Sequence, residues 1–243
     1  MLGAFVRAFR TPELRNKLLF TLFILTIFRL GAVIPAPGID SVAIKQCVQQ
    51  TADTGASNVY SLINLFSGGA LLQLAVFALG IMPYITASII LNLLTVVVPR
   101  LEALKKEGQA GQNKITQYTR YLTIALAVLQ STSIIAMART GQLFQGTTCY
   151  PEQYMPFLGT SYELPVLIMI VFVMTAGTCV IMWFGELITE RGVGNGMSLL
   201  IFTQIVAEFP SGMMRIWSEN PAWVFALVCV AGLGLITGVV FIE

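Results

Sequence analysis

The chain contains no histidine, and charged residues make up only 11% of its 243 positions. A soluble globular protein carries about a quarter. The missing histidine excludes a His-ligated metal site and catalysis by an imidazole base. The scarcity of charge, with 56% apolar residues and a mean hydropathy of +0.79, excludes intrinsic disorder, which needs the opposite balance. A net charge of +2 is too small to argue for nucleic acid as a direct partner. Cysteine is sparse as well, and four in a chain this long set no disulfide framework. Cys179 and Cys229 sit inside apolar runs, which leaves Cys47 and Cys149 as a pair open to bonding without proof of it. No nucleophile–base pair stands out, so neither an enzyme nor a bound cofactor or metal is expected. What the chain has in abundance is long apolar runs, and it reads as an integral membrane protein.

A bilayer core of about 30 Å needs roughly 20 mostly apolar residues per helix. Six stretches qualify: residues 18–37, 71–98, 121–137, 165–187, 197–214 and 221–242. The fifth is the weakest, because Glu208 and Pro210 interrupt it. The first run starts late, exceeds the short core of a signal peptide and lacks a small-residue cleavage site, so it reads as a permanent span. Lys and Arg in short loops mark the cytoplasmic side. With both ends inside, that side holds Arg7, Arg10, Arg15, Lys17, Arg100, Lys105, Lys106, Lys114, Arg120 and Arg191. Only Arg29, Lys45, Arg139 and Arg215 fall opposite, which predicts a cytoplasmic N-terminus.

Leu2, Phe5, Val6 and Phe9 share a helical face clear of Arg7 and Arg10. That suits a short helix lying on the inner leaflet, although a plain positive anchor would look the same. Thr11-Pro12-Glu13 then reads as an N-cap, a proline at the first helical position and an acid in the first turn.

Residues 68–98 do not fit a simple bundle. As one helix they would span about 46 Å, well beyond the hydrocarbon thickness. Gly68, Gly69, Gly80 and Pro83 are candidate breaks. The economical solution is a short re-entrant helix near residues 58–72, followed by a true span ending at Pro99. Non-helical backbone at membrane depth is tolerated only where protein surrounds it or it lines an aqueous cavity, so an interior cavity is expected here. A tilted helix behind an ordinary loop is the alternative. Within the span Ile81, Ile85 and Ile89 recur every four residues, a pattern that plain packing also produces. Thr86 and Asn92 lie off that face and need partners in lipid, with Gln130 of the third span as a candidate for Asn92.

The glycines in Gly185–Ser198 (GELITERGVGNGMS) invite a phosphate-loop interpretation, but no strand precedes them and no Lys-Ser/Thr follows. A tight cytoplasmic turn fits better, with glycines supplying positive φ and Asn195 tolerating it. The polar, basic stretch 99–119 is either a solvated turn or a docking surface.

Several long runs, in order, resemble the bacterial SecY family of protein-translocase channel subunits. They are Asn64-Leu65-Phe66-Ser67-Gly68-Gly69-Ala70-Leu71, then residues 77–90 (FALGIMPYITASII), then Lys106-Glu107-Gly108 with Gln117-Tyr118-Thr119-Arg120-Tyr121, and finally residues 185–196. The resemblance implies an all-α polytopic helical bundle, one half of a pseudo-symmetric ten-helix channel with a short plug helix. It divides the chain into a cytoplasmic N-terminus (1–17), a five-helix half with its plug (18–216) and a sixth helix opening the second half (217–243). Because the chain stops at Glu243, at the end of its sixth span, an N-terminal fragment is expected.

By the same resemblance, Asn64, Leu65, Phe66, Ser67, Gly68, Gly69 and Leu71 belong to the plug. Ile81 and Ile85, with Met197 and Ile201, correspond to the apolar pore ring, and Ile89 is grouped with them. Met197 replaces the usual branched residue there. Thr86, Asn92 and Gln130 are candidates for the lateral gate, and Arg100, Lys105, Lys106, Lys114 and Arg120 for contacts with cytoplasmic partners. The implied partners are the SecE and SecG subunits, the motor ATPase SecA, the ribosome, signal-bearing secretory and membrane proteins, and bilayer phospholipid. A secondary transporter of small solutes is the rival, disfavoured because Arg29, Glu186 and Glu208 all fall near span ends.

Overall fold

The computed structural model describes residues 12–53, 67–144, 149–219 and 221–242. Every regular element among them is a helix apart from one isolated β-bridge, Pro35 with Ala75. The helices are α1 (Pro12–Val33), α2 (Ser41–Asp53), α3 (Met82–Val97), α4 (Pro99–Lys106), α5 (Gln109–Arg139), α6 (Pro151–Tyr154), α7 (Glu163–Arg191), α8 (Gly196–Glu219) and α9 (Ala222–Ile242). By length and composition α1, α5, α7, α8 and α9 can each cross a membrane. The chain is therefore an all-α, multi-pass membrane protein.

α1 opens at Pro12, as the proline and the acid of Glu13 predict. Thr11 and the amphipathic stretch 1–10 lie outside the described residues. α5 and α7 run to 31 and 29 residues, longer than their apolar stretches, and their ends project beyond a hydrocarbon core. Charge contacts tie these two helices at both ends. Arg120 donates through Nε and Nη2 to the two Glu186 oxygens, each at 2.8 Å. At the other end Arg139 Nη2 lies 2.8 Å from Glu163 Oε1. Between them Ser131 and Thr175 hydroxyls meet at 3.5 Å.

The second crossing is broken, as expected, but the break is longer and differently built. α3 does not begin near residue 73. Residues 67–81 form successive turns, and the helix starts only at Met82. The physical reason is backbone handedness: Gly68, Gly69, Leu74 and Gly80 all take positive φ, which no right-handed helix admits. Residues 67–72 are thus turns and not the end of a short helix, while 58–66 lie outside the described residues. The irregular backbone is satisfied by protein. Val76 N donates to Ile34 O at 2.9 Å and Ala36 N to Leu74 O at 3.0 Å, a scrap of sheet pairing between the end of α1 and the turns. Gly177 of α7 lets the segment approach, for a β-carbon there would collide with the Val76 carbonyl.

At its other end α3 stops at Val98, which is extended (φ −98°, ψ 111°) because Pro99 follows. The chain bends by 99° into α4, a short charged helix. The turn 192–195 is tight, but its chemistry differs from expectation. Gly194 alone takes positive φ among its glycines, and Asn195 caps α8, its Oδ1 accepting from Met197 N at 3.0 Å.

Two large apolar clusters hold the fold, with a small third of Ala32, Ala70 and Ala75 beside them. One large cluster gathers Ile44, Leu72, Leu74, Phe144, Tyr154 and Met174. Within it Tyr154 donates its hydroxyl to Ala138 O at 2.6 Å, and burial pushes the phenol up to about 12, so it stays a neutral donor. Cys47 of α2 and Cys149 form a disulfide across a Cα–Cα distance of 5.7 Å, closing the pair that the sequence left open. The other large cluster gathers Ile24, Phe28, Phe77, Ile81, Ile181, Phe184, Ile188 and Leu200. In it Phe28 and Phe77 stack at 5.9 Å.

Candidate functional site

α3 buries Pro83, Ala87, Leu91 and Thr95, a stripe of mostly small residues that lets it pack closely on α5. The isoleucine stripe lies on another face. Ile81 is 1% exposed, Ile85 is half-buried and Ile89 is 53% exposed. The stripe therefore climbs out of the protein along α3. Ile81 is a core member of the second apolar cluster, and Ile85, Met197 and Ile201 pack against it. Four of the five residues assigned to the ring thus belong to or border one apolar cluster, to which α1 and α7 contribute as well. Ile89 stands outside that cluster. Met197 rests its thioether against Gly185 of α7, so part of its side chain is directed sideways.

On α8, successive turns beyond Ile201 carry Gln204 and Glu208, and both face the turns of residues 67–81. The three positive-φ glycines are each met by a polar side chain. Arg29 of α1 donates from Nη1 to Gly68 O at 3.2 Å. The Glu208 carboxylate occupies the place a β-carbon of Gly69 would need, and the Gln204 amide does the same at Gly80. Gln204 is 1% exposed, and neither polar atom of its amide has a hydrogen-bond partner among the described residues. Ser67 accepts from Leu71 N at 2.9 Å, and Ser67, Gly68, Gly69 and Leu71 are all buried. Asn64, Leu65 and Phe66 lie outside the described residues.

A cavity of about 280 Å³ adjoins this segment. Ser67, Leu71, Leu79 and Met82 line one side, Gln130 and Met137 of α5 the other. The broken backbone thus borders a half-open pocket with mostly apolar walls, and not the enclosed aqueous cavity expected there. Gln130 faces this cavity and does not join Asn92, which is exposed farther along α3. Thr86 satisfies its hydroxyl within its own helix, donating to Met82 O at 3.0 Å. No hydrogen bond joins Thr86, Asn92 and Gln130 to one another among the described residues.

Of the basic residues, Arg100 and Lys105 are exposed on α4. Lys106 pairs with Glu102 at 2.7 Å and Lys114 with Glu107 at 3.7 Å, while Arg120 is engaged by Glu186. Sequence reasoning missed Gln204 and gave Arg29 and Glu208 no role in the segment. The available signal was two polar residues four apart within the apolar run of α8, which places both on one face.

A family model described as SecY matches residues 75–243. The protein translocase subunit SecY of Streptomyces coelicolor is 56% identical over 247 residues, an alignment covering all of this chain and 55% of that protein. The same-named protein of Mycobacterium tuberculosis is 54% identical, with all of this chain and 54% of that protein covered. For Mycobacterium leprae the values are 54% identity and 53% of that protein. The chain spans about half the length of the curated relatives it matches. Their shared name lends no support to a solute transporter. With its multi-pass helices, its broken second crossing and matches of this extent, the chain belongs to the SecY family.

Proposed function

We propose that the chain supplies the N-terminal part of a protein-conducting channel, which passes unfolded secretory polypeptides across the bacterial inner membrane and releases hydrophobic segments sideways into lipid. The observation that carries this reading is that Ile81, Ile85, Met197 and Ile201 all belong to or border one apolar cluster, in which the buried, non-helical segment also takes part through Phe77. An alkyl constriction offers no directed hydrogen bonds, so it slides along any sequence. When empty and narrow it dewets and resists ions. Asn64, Leu65, Phe66, Ser67, Gly68, Gly69 and Leu71 act as the stopper on the outer side of that constriction. A translocating chain must displace them to pass between α3 and α8.

Sorting needs no chemistry of the channel's own. An apolar segment gains about 0.3–0.6 kcal/mol per Leu, Ile, Phe or Val on entering lipid, and a polar one gains nothing. Thr86, Asn92 and Gln130 line the slit through which such segments leave, and Ile89 extends the apolar wall towards the cytoplasm. The names of the relatives, which are protein translocase subunits, support this assignment. Force comes from partners: the SecA motor or a translating ribosome, docking on α4 and the start of α5 through Arg100, Lys105, Lys106, Lys114 and Arg120. SecE and SecG complete the assembly. The N-terminus is cytoplasmic, which puts Cys47 and Cys149 on the outer, oxidising side where a disulfide persists. Residues 1–17 form the cytoplasmic N-terminus, 18–216 one half of the channel and 217–243 the first helix of the other.

The test is site-specific cross-linking in the full-length subunit. A stalled secretory chain is expected to cross-link to probes at 81, 85 and 201 and not to a probe on the lipid-facing surface of α9. Absence of cross-links at all three positions would overturn the assignment.

A further inference from the structure

Between the end of α5 and the start of α7 lies a groove of about 550 Å³. Ile135, Ala136, Leu167, Ile168 and Val171 form its apolar walls. The Thr132 and Thr140 hydroxyls at its edges donate within α5, to Val128 O and Ala136 O, so they add little free polarity. Ile168 is exposed, and so are Leu164 and Phe172, one turn to either side of it on α7. From Thr132 to Arg139 the groove follows α5 for about 10 Å, less than half of a hydrocarbon core. It therefore lies within one leaflet, at the end away from the Arg120–Glu186 pair. On the orientation proposed above, that leaflet is the outer one.

A polar hollow of about 370 Å³ adjoins the groove, lined by Tyr150, Glu152, Gly159 and Glu163. Arg139 lines both spaces. Its Nη2 lies 2.8 Å from Glu163 Oε1, yet that buried oxygen accepts no aligned hydrogen bond, so the contact is one of charge and the guanidinium keeps donors for another acceptor. The other Glu163 oxygen accepts from Gly159 N at 3.1 Å. Glu152 is exposed and has no paired cation among the described residues. Tyr150 is exposed beside it, a residue type that favours the boundary between lipid and water.

Apolar groove, forked cation and unpaired carboxylate follow one another in the order of a phospholipid's acyl chain, phosphate and headgroup. Charge selects among headgroups. The hollow holds one cation, Arg139, against two carboxylates, Glu152 and Glu163. An anionic headgroup is repelled by the excess acid. A zwitterion offers its phosphate to Arg139 and its cation to Glu152. A primary ammonium has N–H groups to donate to that carboxylate, which a choline lacks.

We propose that the end of α5 and the start of α7 form a binding site for a phospholipid with a primary ammonium headgroup, of the phosphatidylethanolamine type. One acyl chain lies in the groove, the phosphate is forked on Arg139 and the ammonium meets Glu152. The site uses none of the residues assigned to the ring, plug or gate, and it does not rest on the channel reading.

The experiment uses the full-length subunit in its assembled channel, in vesicles of equal parts phosphatidylethanolamine and phosphatidylglycerol. A photoreactive residue stands at position 168, and its lipid adducts are counted by mass spectrometry. Phosphatidylethanolamine adducts are expected to exceed those of phosphatidylglycerol about threefold relative to Glu152→Gln, the scale of one exposed ion pair. Arg139→Gln is expected to lose the preference as well, and Arg139→Lys, which keeps the charge, to retain part of it. A ratio that Glu152→Gln leaves unchanged overturns the proposal, and so does a ratio unchanged in Arg139→Gln. Adducts to a partner subunit in place of lipid also overturn it, because the groove is then a protein interface. Should Arg139→Gln fail to accumulate, with Glu163 left unpaired, Glu152→Gln decides alone, since it disturbs no contact within the fold.

Discussion

At the scale of single residues, the ring is a matter of side-chain chemistry. Ile85 is half-buried at the edge of the cluster that holds Ile81. An amide in its place hydrates a constriction that alkyl groups keep dry. Ile85→Asn in the full-length protein is therefore expected to raise ion conductance through resting channels and to relax the demand for a strong signal. Planar-bilayer conductance equal to the parent's would count against Ile85 as a ring member. Other residues act by being small. Gly177 has the Val76 carbonyl where a side chain would stand, so the turns can sit flush on α7 only because nothing projects there. Tyr154 works through its neutral hydroxyl on Ala138 O, a bond that anchors the short α6 to the end of α5.

At the scale of elements, the two helices α5 and α7 form a frame fastened by Arg120–Glu186 at one end and Arg139–Glu163 at the other. Between α1 and α3 no such ion-pair frame occurs among the described residues. The chain relies there on the Ile34–Val76 and Ala36–Leu74 bonds and on the disulfide that ties α2 to the segment before α6. That cross-link closes a loop with a sequence separation of 102, which contains the whole broken crossing. Replacing both Cys47 and Cys149 by serine is expected to cost about 2–4 kcal/mol of stability. Thermal unfolding in detergent should show this as an earlier transition, reproduced in the parent by reductant. A parent transition indifferent to reductant, with two thiols already reactive before reduction, would show that the bond does not form in the membrane.

Much at this scale was legible in the sequence, and the failures have physical causes. Pro12 with Glu13 marks the start of α1, and Pro99 forces Val98 extended and ends α3. Both are local rules that the fold has no reason to override. The turns of residues 67–81 were not legible, because Leu74 takes positive φ only under tertiary support from Ala36 and a leucine carries no local sign of it. Residue type alone suits Asn195 to a positive φ, whereas in the fold its carboxamide caps α8. Asn92 and Gln130 were matched by depth alone, and depth says nothing of rotation about a helix axis. Glu208 interrupts an apolar run and Gln204 lies one turn before it, yet what they face depends on glycines more than a hundred residues away.

At the scale of the whole molecule, the proposed channel has a wall whose apolar waist adjoins the broken second crossing. The stripe from Ile81 through Ile85 to Ile89 leaves the core as it runs towards the bend at Val98, passing from 1% to 53% exposed. The most direct measurement of this arrangement is a cysteine scan of residues 81–96 in the full-length channel, with Cys179 and Cys229 replaced. It is read with a water-soluble, membrane-impermeant thiol reagent while a chain is in transit. The account predicts labelling that recurs every three to four residues, strong at 85 and 89 and absent at 87, 91 and 95. Protection along the whole of α3, as for a helix facing only lipid and its neighbours, would contradict it.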